Sequence, residues 1–379
     1  MHAPLKLPVA CLCLGLAFNA LAQDNAPSSA RPSLTLDDLY SDYTVIDADI
    51  SPSGKLIAAT VRRNNDDAIV SLDLATGEKK LITRINKDAF GEQIDVRIGP
   101  VYWKTEDRLL FQVRSRPNAG MRFKQLSRGS MLRVGNRLYG VNRDGKNLLP
   151  MFGDQYEDEL VGAFDTSDIA SMLWTDPKHI LIRVGGWEGR SLFKVDVETG
   201  RGKVVENQKE SVVDWWLNVD GTAIVRMEYS LGTIRYYRKL PDGKWKKYYS
   251  VRRREAQEQP DFSGIGPSSD PDKFYVLARP PGKDRMGVYL YDLGKEAFGE
   301  AVVENPAYDI YSASISDDGA RVRYHCYDVH VRICDFADPK RNAYMRGLRK
   351  FFEESANVNI ADASDDGNTI LLLVDGPTE

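Results

Sequence analysis

What this sequence has least of is the equipment for catalysis. It carries four histidines and four cysteines in 379 residues. The nucleophile-elbow pattern G-x-S-x-G, which a serine hydrolase of the α/β type needs on a strand–turn–helix, does not occur. Gly189-Arg-Ser-Leu-Phe193 and Gly266-Pro-Ser-Ser-Asp270 carry only its first half, in β context with no helix following. His179, His325 and His330 all fall in predicted strands. Cys326 cannot pair with His325 as nucleophile and base, because neighbours on a strand point to opposite faces. Metal-ligand spacing is missing too. His325 and His330 do not give a structural-zinc pattern with the nearby cysteines. Asp317-Asp318-Gly319 and Asp365-Asp366-Gly367 lack the further ligands of a calcium loop. No charge of one sign dominates, since 55 acids stand against 51 bases for a net charge of −4. No overall field therefore points to nucleic acid or anionic lipid. Beyond the N-terminus no 18-residue apolar run offers a membrane span. The expectation is no catalytic, cofactor-binding or metal residues.

The N-terminus reads as a secretory signal. Lys6 gives a short positive region, Val9–Phe18 an apolar stretch too short to span a bilayer, and Ala20-Leu-Ala22 a cleavage site before Gln23. Cys11 follows Pro8-Val9-Ala10, which lacks the leucine usual in a lipoprotein signal. Residues 1–22 are expected to be removed, residues 23–33 to form a linker, and the chain to be exported, periplasmic or secreted. Of the cysteines only Cys326 and Cys334 remain after cleavage. An oxidising compartment permits a bridge between them. If Tyr324–Tyr327 and Val331–Asp335 pair as a hairpin, the sulfurs face each other. The alternative is two small, half-buried strand residues.

Aromatic residues make up 10% of the chain, many in short apolar runs, which favours strands. A unit of strand, tight polar turn and strand recurs seven times. Its turns are Ile50-Ser-Pro-Ser-Gly54, Tyr102–Asp107, Leu173–Pro177, Trp216–Gly221, Ser268–Asp272, Ile315–Gly319 and Ala363–Gly367. Taking the last residue of each turn, the intervals are 53, 70, 44, 51, 47 and 48 residues. Apart from one long interval, this is the spacing of a four-stranded propeller blade. Asp-Gly and related pairs suit such turns, since glycine accepts positive φ and aspartate bonds its own backbone. Between these turns lie six copies of an alternating strand running into a second turn. They are Val70–Gly77, Leu138–Gly145, Leu192–Gly200, Tyr236–Gly243, Val288–Gly294 and Val331–Asp338. Two hairpins per repeat make one antiparallel blade. The expected fold is thus an all-β propeller over residues 34–379, with about seven four-stranded blades and the last incomplete. Residues 34–48 could donate a strand to close the ring, since Tyr43–Ile50 alternates well.

Some segments stand outside the repeat. Residues 116–136 read as a long loop. Residues 341–354 place Tyr344, Met345, Leu348, Phe351 and Phe352 at helical spacing, a short amphipathic helix between blades. Asp154, Glu157, Asp158 and Glu159 form an acidic connection. From Arg235 to Arg254 nine bases face one acid, Asp242, with Tyr236, Tyr237, Trp245, Tyr248 and Tyr249 interleaved. That alternation suits an outer hairpin, and an anionic partner surface is the other reading.

The phrases Ile50-Ser-Pro-Ser-Gly-Lys55, Leu192–Gly200 and Ala363-Ser-Asp-Asp-Gly367 resemble blades of the N-terminal propeller in prolyl oligopeptidase-family serine peptidases, nearest the bacterial exported dipeptidyl/acylaminoacyl-peptidase branch. The stretches Leu36–Tyr43 and Leu348–Asn357 extend the resemblance over essentially the whole mature chain. In that family the propeller caps an α/β-hydrolase domain and limits substrates to short peptides. No triad residue can be carried onto this sequence. The resemblance implies a non-catalytic, substrate-gating module, truncated before the hydrolase domain, with that domain or a separate subunit and short peptides as partners. The alternative is a free-standing periplasmic propeller that binds a protein or peptide. Neither nucleic acid nor, after signal cleavage, a membrane is an expected partner.

Overall fold

A computed structural model describes residues 45–63, 66–85, 94–117, 135–153, 163–186, 189–209, 211–252, 262–352, 356–365 and 367–375. They form 25 strands and one helix, α1 (Pro339–Phe351), arranged in six hydrogen-bonded sheets that divide in chain order into seven antiparallel units, called here the first to the seventh sheet, the second and third of which are bridged into one eight-stranded sheet. The first holds β1 (Val45–Ile50), β2 (Leu56–Arg63), β3 (Asp66–Asp73) and β4 (Lys79–Arg84). The second holds β5 (Ile94–Thr105), β6 (Arg108–Pro117), β7 (Gly135–Asn142) and β8 (Leu149–Pro150), and the third β9 (Ala163–Ser171), β10 (His179–Gly186), β11 (Gly189–Asp196) and β12 (Gly202–Lys209). The fourth is β13 (Val212–Leu217), β14 (Ala223–Ser230), β15 (Thr233–Lys239) and β16 (Trp245–Arg252), and the fifth β17 (Phe262–Pro267), β18 (Lys273–Ala278), β19 (Gly287–Asp292) and β20 (Ala297–Val303). The sixth has three strands, β21 (Ser312–Ile315), β22 (Val322–Asp328) and β23 (Arg332–Phe336). The seventh has two described strands, β24 (Asn357–Ala363) and β25 (Ile370–Asp375). Within each sheet consecutive strands pair antiparallel, which is the blade pattern of a propeller.

The turn chemistry that marks the repeat is what closes each hairpin. Gly54, Gly221, Gly319 and Gly367 all have positive φ, between 67° and 83°. In the second hairpins Asp73 and Asp196 each accept two backbone N–H groups, from Ala75 and Thr76 and from Glu198 and Thr199. The apolar residues of each sheet then pack on the next sheet. Ala58, Ile69 and Ile82 meet Val96, Ile98, Trp103 and Phe111 between the first and second sheets. Trp216, Val225 and Tyr236 meet Phe274, Val276 and Tyr289 between the fourth and fifth. Two buried cations tie the second sheet to the third: Arg108 donates to the Val197 carbonyl at 2.9 Å through Nε, and Lys104 donates to the Leu173 carbonyl at 3.1 Å. Burial pushes the Lys104 ammonium down to about 8, against the pull of Asp176.

The seventh sheet meets the first, so the seven form a ring. Ile50 N–H donates to Asp362 Oδ2 at 2.8 Å, Asp365 N–H to the Pro52 carbonyl at 3.1 Å, and Thr369 Oγ1 to the Gly54 carbonyl at 3.2 Å. Residues 45–50 take part as the innermost strand of the first sheet, paired with β2, and not as a strand lent to the last blade. Residues 34–44 lie outside the described residues.

The second hairpins depart from expectation in two blades. In the sixth, β23 leads into α1 instead of a fourth strand. Asp338 accepts the Lys340 N–H at 2.9 Å as the helix N-cap, and Pro339 follows it at the first helical position. The helix thus starts before residue 341 and ends at Phe351; residues 353–355 lie outside the described residues. It packs Met345 against Phe336 and Val358, between the sixth and seventh blades. In the second blade the fourth strand is only Leu149–Pro150, since proline has no N–H for the ladder. The expected loop 116–136 is shorter than its bounds. Arg116 and Pro117 belong to β6, and Gly135 and Asn136 to β7, while 118–134 lie outside the described residues. A short parallel bridge, Asn136↔Asp165 and Arg137↔Thr166, joins the second and third sheets, with Asn136 Nδ2 donating to Asp165 at 3.2 Å.

Two glycines separate conformational from steric cost. At Gly319 φ is +68°, and a Cβ would sit 2.6 Å from the Ser268 carbonyl carbon. At Gly243 φ is +81°, and a Cβ meets nothing within 4 Å. Gly243→Ala should therefore cost about 1–2 kcal/mol, the left-handed penalty alone. Gly319→Ala should cost clearly more, because the fifth and sixth blades must part. Equal losses in urea unfolding would contradict this account of the blade contact.

Candidate functional site

The first strand of each blade faces the middle of the ring, and there the polar residues collect. Between the third and sixth blades the strands β9, β13, β17 and β21 wall a cavity of about 570 Å³. Ser171, Asn218, Ser314 and Ser316 give it hydrogen-bonding groups; Trp216, Phe274 and Tyr324 give it aromatic wall. This volume falls in the range of small-ligand pockets, roughly 300–1,000 Å³.

One charged group in the wall is held rigidly. Arg183 Nε and NH2 donate to the two oxygens of Asp168 at 3.0 and 3.1 Å, and NH1 donates to Asp214. The Asp214 carboxylate also accepts the Trp215 N–H at 2.8 Å. Burial works against the guanidinium charge, but Asp214 and Asp168 outweigh it and hold Arg183 above its ordinary value. Such a clamp fixes β10 to β9 and to the fourth blade. Across the cavity Asp317 pairs with Arg323.

A second polar group lies at the seam of the first and seventh blades. Asp47 Oδ2 accepts the Val101 N–H at 2.9 Å, and Asp49 Oδ2 accepts the Trp103 N–H at 2.6 Å. Burial, and after it the neighbouring Asp362 carboxyl of β24, pushes Asp49 well above the usual carboxylate range. Burial raises Asp47 and Tyr102 as well.

None of Asp47, Asp49, Asp168, Arg183, Asp214 and Asp362 was singled out by the sequence reading. Their signal is faint: Asp47-x-Asp49 in an otherwise alternating apolar strand, and Asp362 between two alanines. On a strand this spacing puts both carboxyls of β1 on one face.

The residues that were singled out are spread over the ring. Cys326 and Cys334 lie directly opposite each other in the β22–β23 pairing and are joined by a disulfide. His325 lies opposite Asp335 on the other face, and burial lowers its pKa against the pull of Asp335. His179 Nδ1 lies 2.9 Å from Asp176, and His330 sits at the β22–β23 turn. The three histidines thus lie apart from the cavity wall. Asp318 accepts the Ala320 N–H at 3.0 Å, the geometry of a turn. Asp154, Glu157, Asp158 and Glu159, and Arg253 and Arg254 of the basic run, lie outside the described residues. Several other members of that run tie blades together. Lys239 pairs with Glu206 of the third blade at 2.6 Å, Lys246 with Glu296 of the fifth at 3.6 Å, and Arg238 donates to the Leu293 carbonyl at 2.8 Å. Arg226 lies 4.7 Å from the centre of the Trp245 ring. Among the described residues no group of three or more His, Cys, Asp or Glu could hold a metal ion.

The disulfide spans a separation of eight residues. By loop-closure entropy, replacing both cysteines with serine should cost about 2 kcal/mol. Thermal melting with and without reductant checks this; a reductant-insensitive melt would contradict it.

Neither a family model nor a curated protein matches the sequence. Among solved structures the chain is similar to the β-propeller domain of the trilobed protease from Pyrococcus furiosus, at 14% identity and TM-score 0.49, over 88% of this chain and 92% of that one. It is also similar to a prolyl endopeptidase, at 12% identity and TM-score 0.45, over 74% of this chain and 39% of that one. An oligogalacturonate lyase in complex with manganese is similar at 12% identity and TM-score 0.44, over 75% of this chain and 73% of that one.

Proposed function

We propose that the chain is the non-catalytic propeller module of an exported serine peptidase of the prolyl oligopeptidase family, and that its central cavity holds or admits short peptides for a hydrolase domain or subunit. The observation that carries this reading is the cavity of about 570 Å³ bounded by the first strands of four blades. Its wall combines fixed hydrogen-bonding groups with aromatic surface. That is what an extended peptide needs, because its own N–H and C=O groups must be paired when it leaves water. The blade phrases around Ile50–Lys55 and Leu192–Gly200 point to the same family. The sequence offers no G-x-S-x-G, so cleavage is assigned to the partner and peptide selection to this chain.

The purified chain should not react with a fluorophosphonate probe and should not turn over peptide substrates. It should bind unlabelled di- to hexapeptides in calorimetry. Ser314→Trp, which fills the cavity from β21, should weaken that binding at least tenfold, about 1.4 kcal/mol, with melting unchanged. Probe labelling, or peptide binding that ignores the Ser314 substitution, would contradict the reading.

A further inference from the structure

The first and second blades, and the fourth and fifth, meet through large buried apolar clusters. Between the sixth and seventh the fully buried cluster is small, Phe336, Met345 and Val358. Beside it lies a second cavity, of about 320 Å³. The register of the sixth blade decides what faces it. Ser312 stands opposite Cys326 and Cys326 opposite Cys334, while Tyr324 stands opposite Phe336 and Asp328 opposite Arg332. Alternation along β22 and β23 puts Tyr324, Cys326, Arg332, Cys334 and Phe336 on one face. All five line the cavity, together with Ser312 of β21, Met345 of α1 and Ile360 of β24.

Most of this wall is apolar: two aromatic rings, a thioether, an aliphatic chain and the disulfide. Ser312 and Arg332 bring polar groups to it, and Arg332 is held in place. Its backbone N–H donates to Asn357 Oδ1 at 2.8 Å, its guanidinium carbon lies 4.4 Å from the centre of the Tyr311 ring, and its Nε donates to Asp328 at 3.3 Å. Among the described residues its two Nη groups make no hydrogen bond, and neither does the Ser312 hydroxyl. The pair with Asp328 is solvent-exposed, so it offsets little of the charge. An apolar wall with a few polar groups that fix orientation is the composition of a small-ligand site, and the volume lies at the small end of the usual range.

We propose that this cavity binds a small carboxylic acid with an apolar body, the body packed among Tyr324, Phe336, Met345 and Ile360 and the carboxylate on Arg332 and Ser312.

The chemistry of the polar groups selects this class. A planar guanidinium gives a carboxylate two N–H groups at once, and such charge-assisted bonds are stronger than neutral ones. A hydroxyl adds one further donor. A neutral analogue of the same shape keeps the apolar contact and loses the charge-assisted bond. Tyr324 is common to the walls of this cavity and the central one, but Arg332 lines only this cavity. Substitution of Arg332 therefore separates the two sites, and the outcome does not depend on peptide binding in the central cavity.

Calorimetry on the full chain with octanoate and octanamide tests the assignment. Octanoate should bind, and octanamide should bind about tenfold more weakly or worse. Arg332→Gln removes the charge from a partly exposed side chain; it should weaken octanoate by about tenfold or more and leave octanamide unchanged. Ser312→Leu, which occupies the cavity from β21, should weaken both ligands, with melting used to check that each variant is folded. Absence of octanoate binding at millimolar concentration would overturn the proposal. So would equal binding of acid and amide, or octanoate binding that ignores either substitution in a folded variant.

Discussion

The junctions of the first blade with its neighbours depend on how the innermost strands β1 and β5 dispose of their outward N–H groups. Such a strand is a sheet edge, with a row of backbone donors that no neighbouring strand accepts. Leaving a buried donor unpaired costs about 1–3 kcal/mol. Here carboxylates of the preceding blade take the place of the missing strand. Asp47 and Asp49 of the first blade accept from Val101 and Trp103 of the second. Asp67, itself held by Arg62 at 2.8 Å, accepts from Ile98 at 2.8 Å. Asp362 of the seventh accepts from Ile50 of the first. Each bond to a charged acceptor is worth roughly 1.5–3 kcal/mol.

The same arrangement accounts for the character of the site. Edge-capping concentrates carboxyls towards the middle of the ring, and some are neutralised there by fixed cations, as Asp168 and Asp214 are by Arg183. The cavity wall combines the Arg183, Asp214 and Asp317 side chains with hydroxyls, the Asn218 amide and aromatic faces.

How much of this was legible in the sequence follows from what each feature requires. All seven first hairpins were readable because their turns need specific chemistry, glycine at positive φ and aspartate or serine bonding the local backbone. Outer strands were less readable, since they are half-exposed and tolerate replacement. A proline shortened one at Leu149–Pro150, and a capped helix displaced another after Asp338. The helix itself was legible from its spacing, but its start was not, because the capping signal Asp338-Pro339 had been read as a turn. The site residues were nearly invisible. Asp47, Asp49 and Asp362 act across 54 or more than 300 positions of chain, on partners that are backbone atoms and leave no mark in the sequence.

The central claim is that side-chain carboxylates replace a missing strand along the inner edge. Single-residue amide exchange at one fixed pH tests it most directly, on the N–H groups of Ile50, Ile98, Val101 and Trp103. The account predicts protection comparable to that of ladder amides in the middle of the same sheets. Exchange as fast as that of an open, solvated strand edge would contradict it.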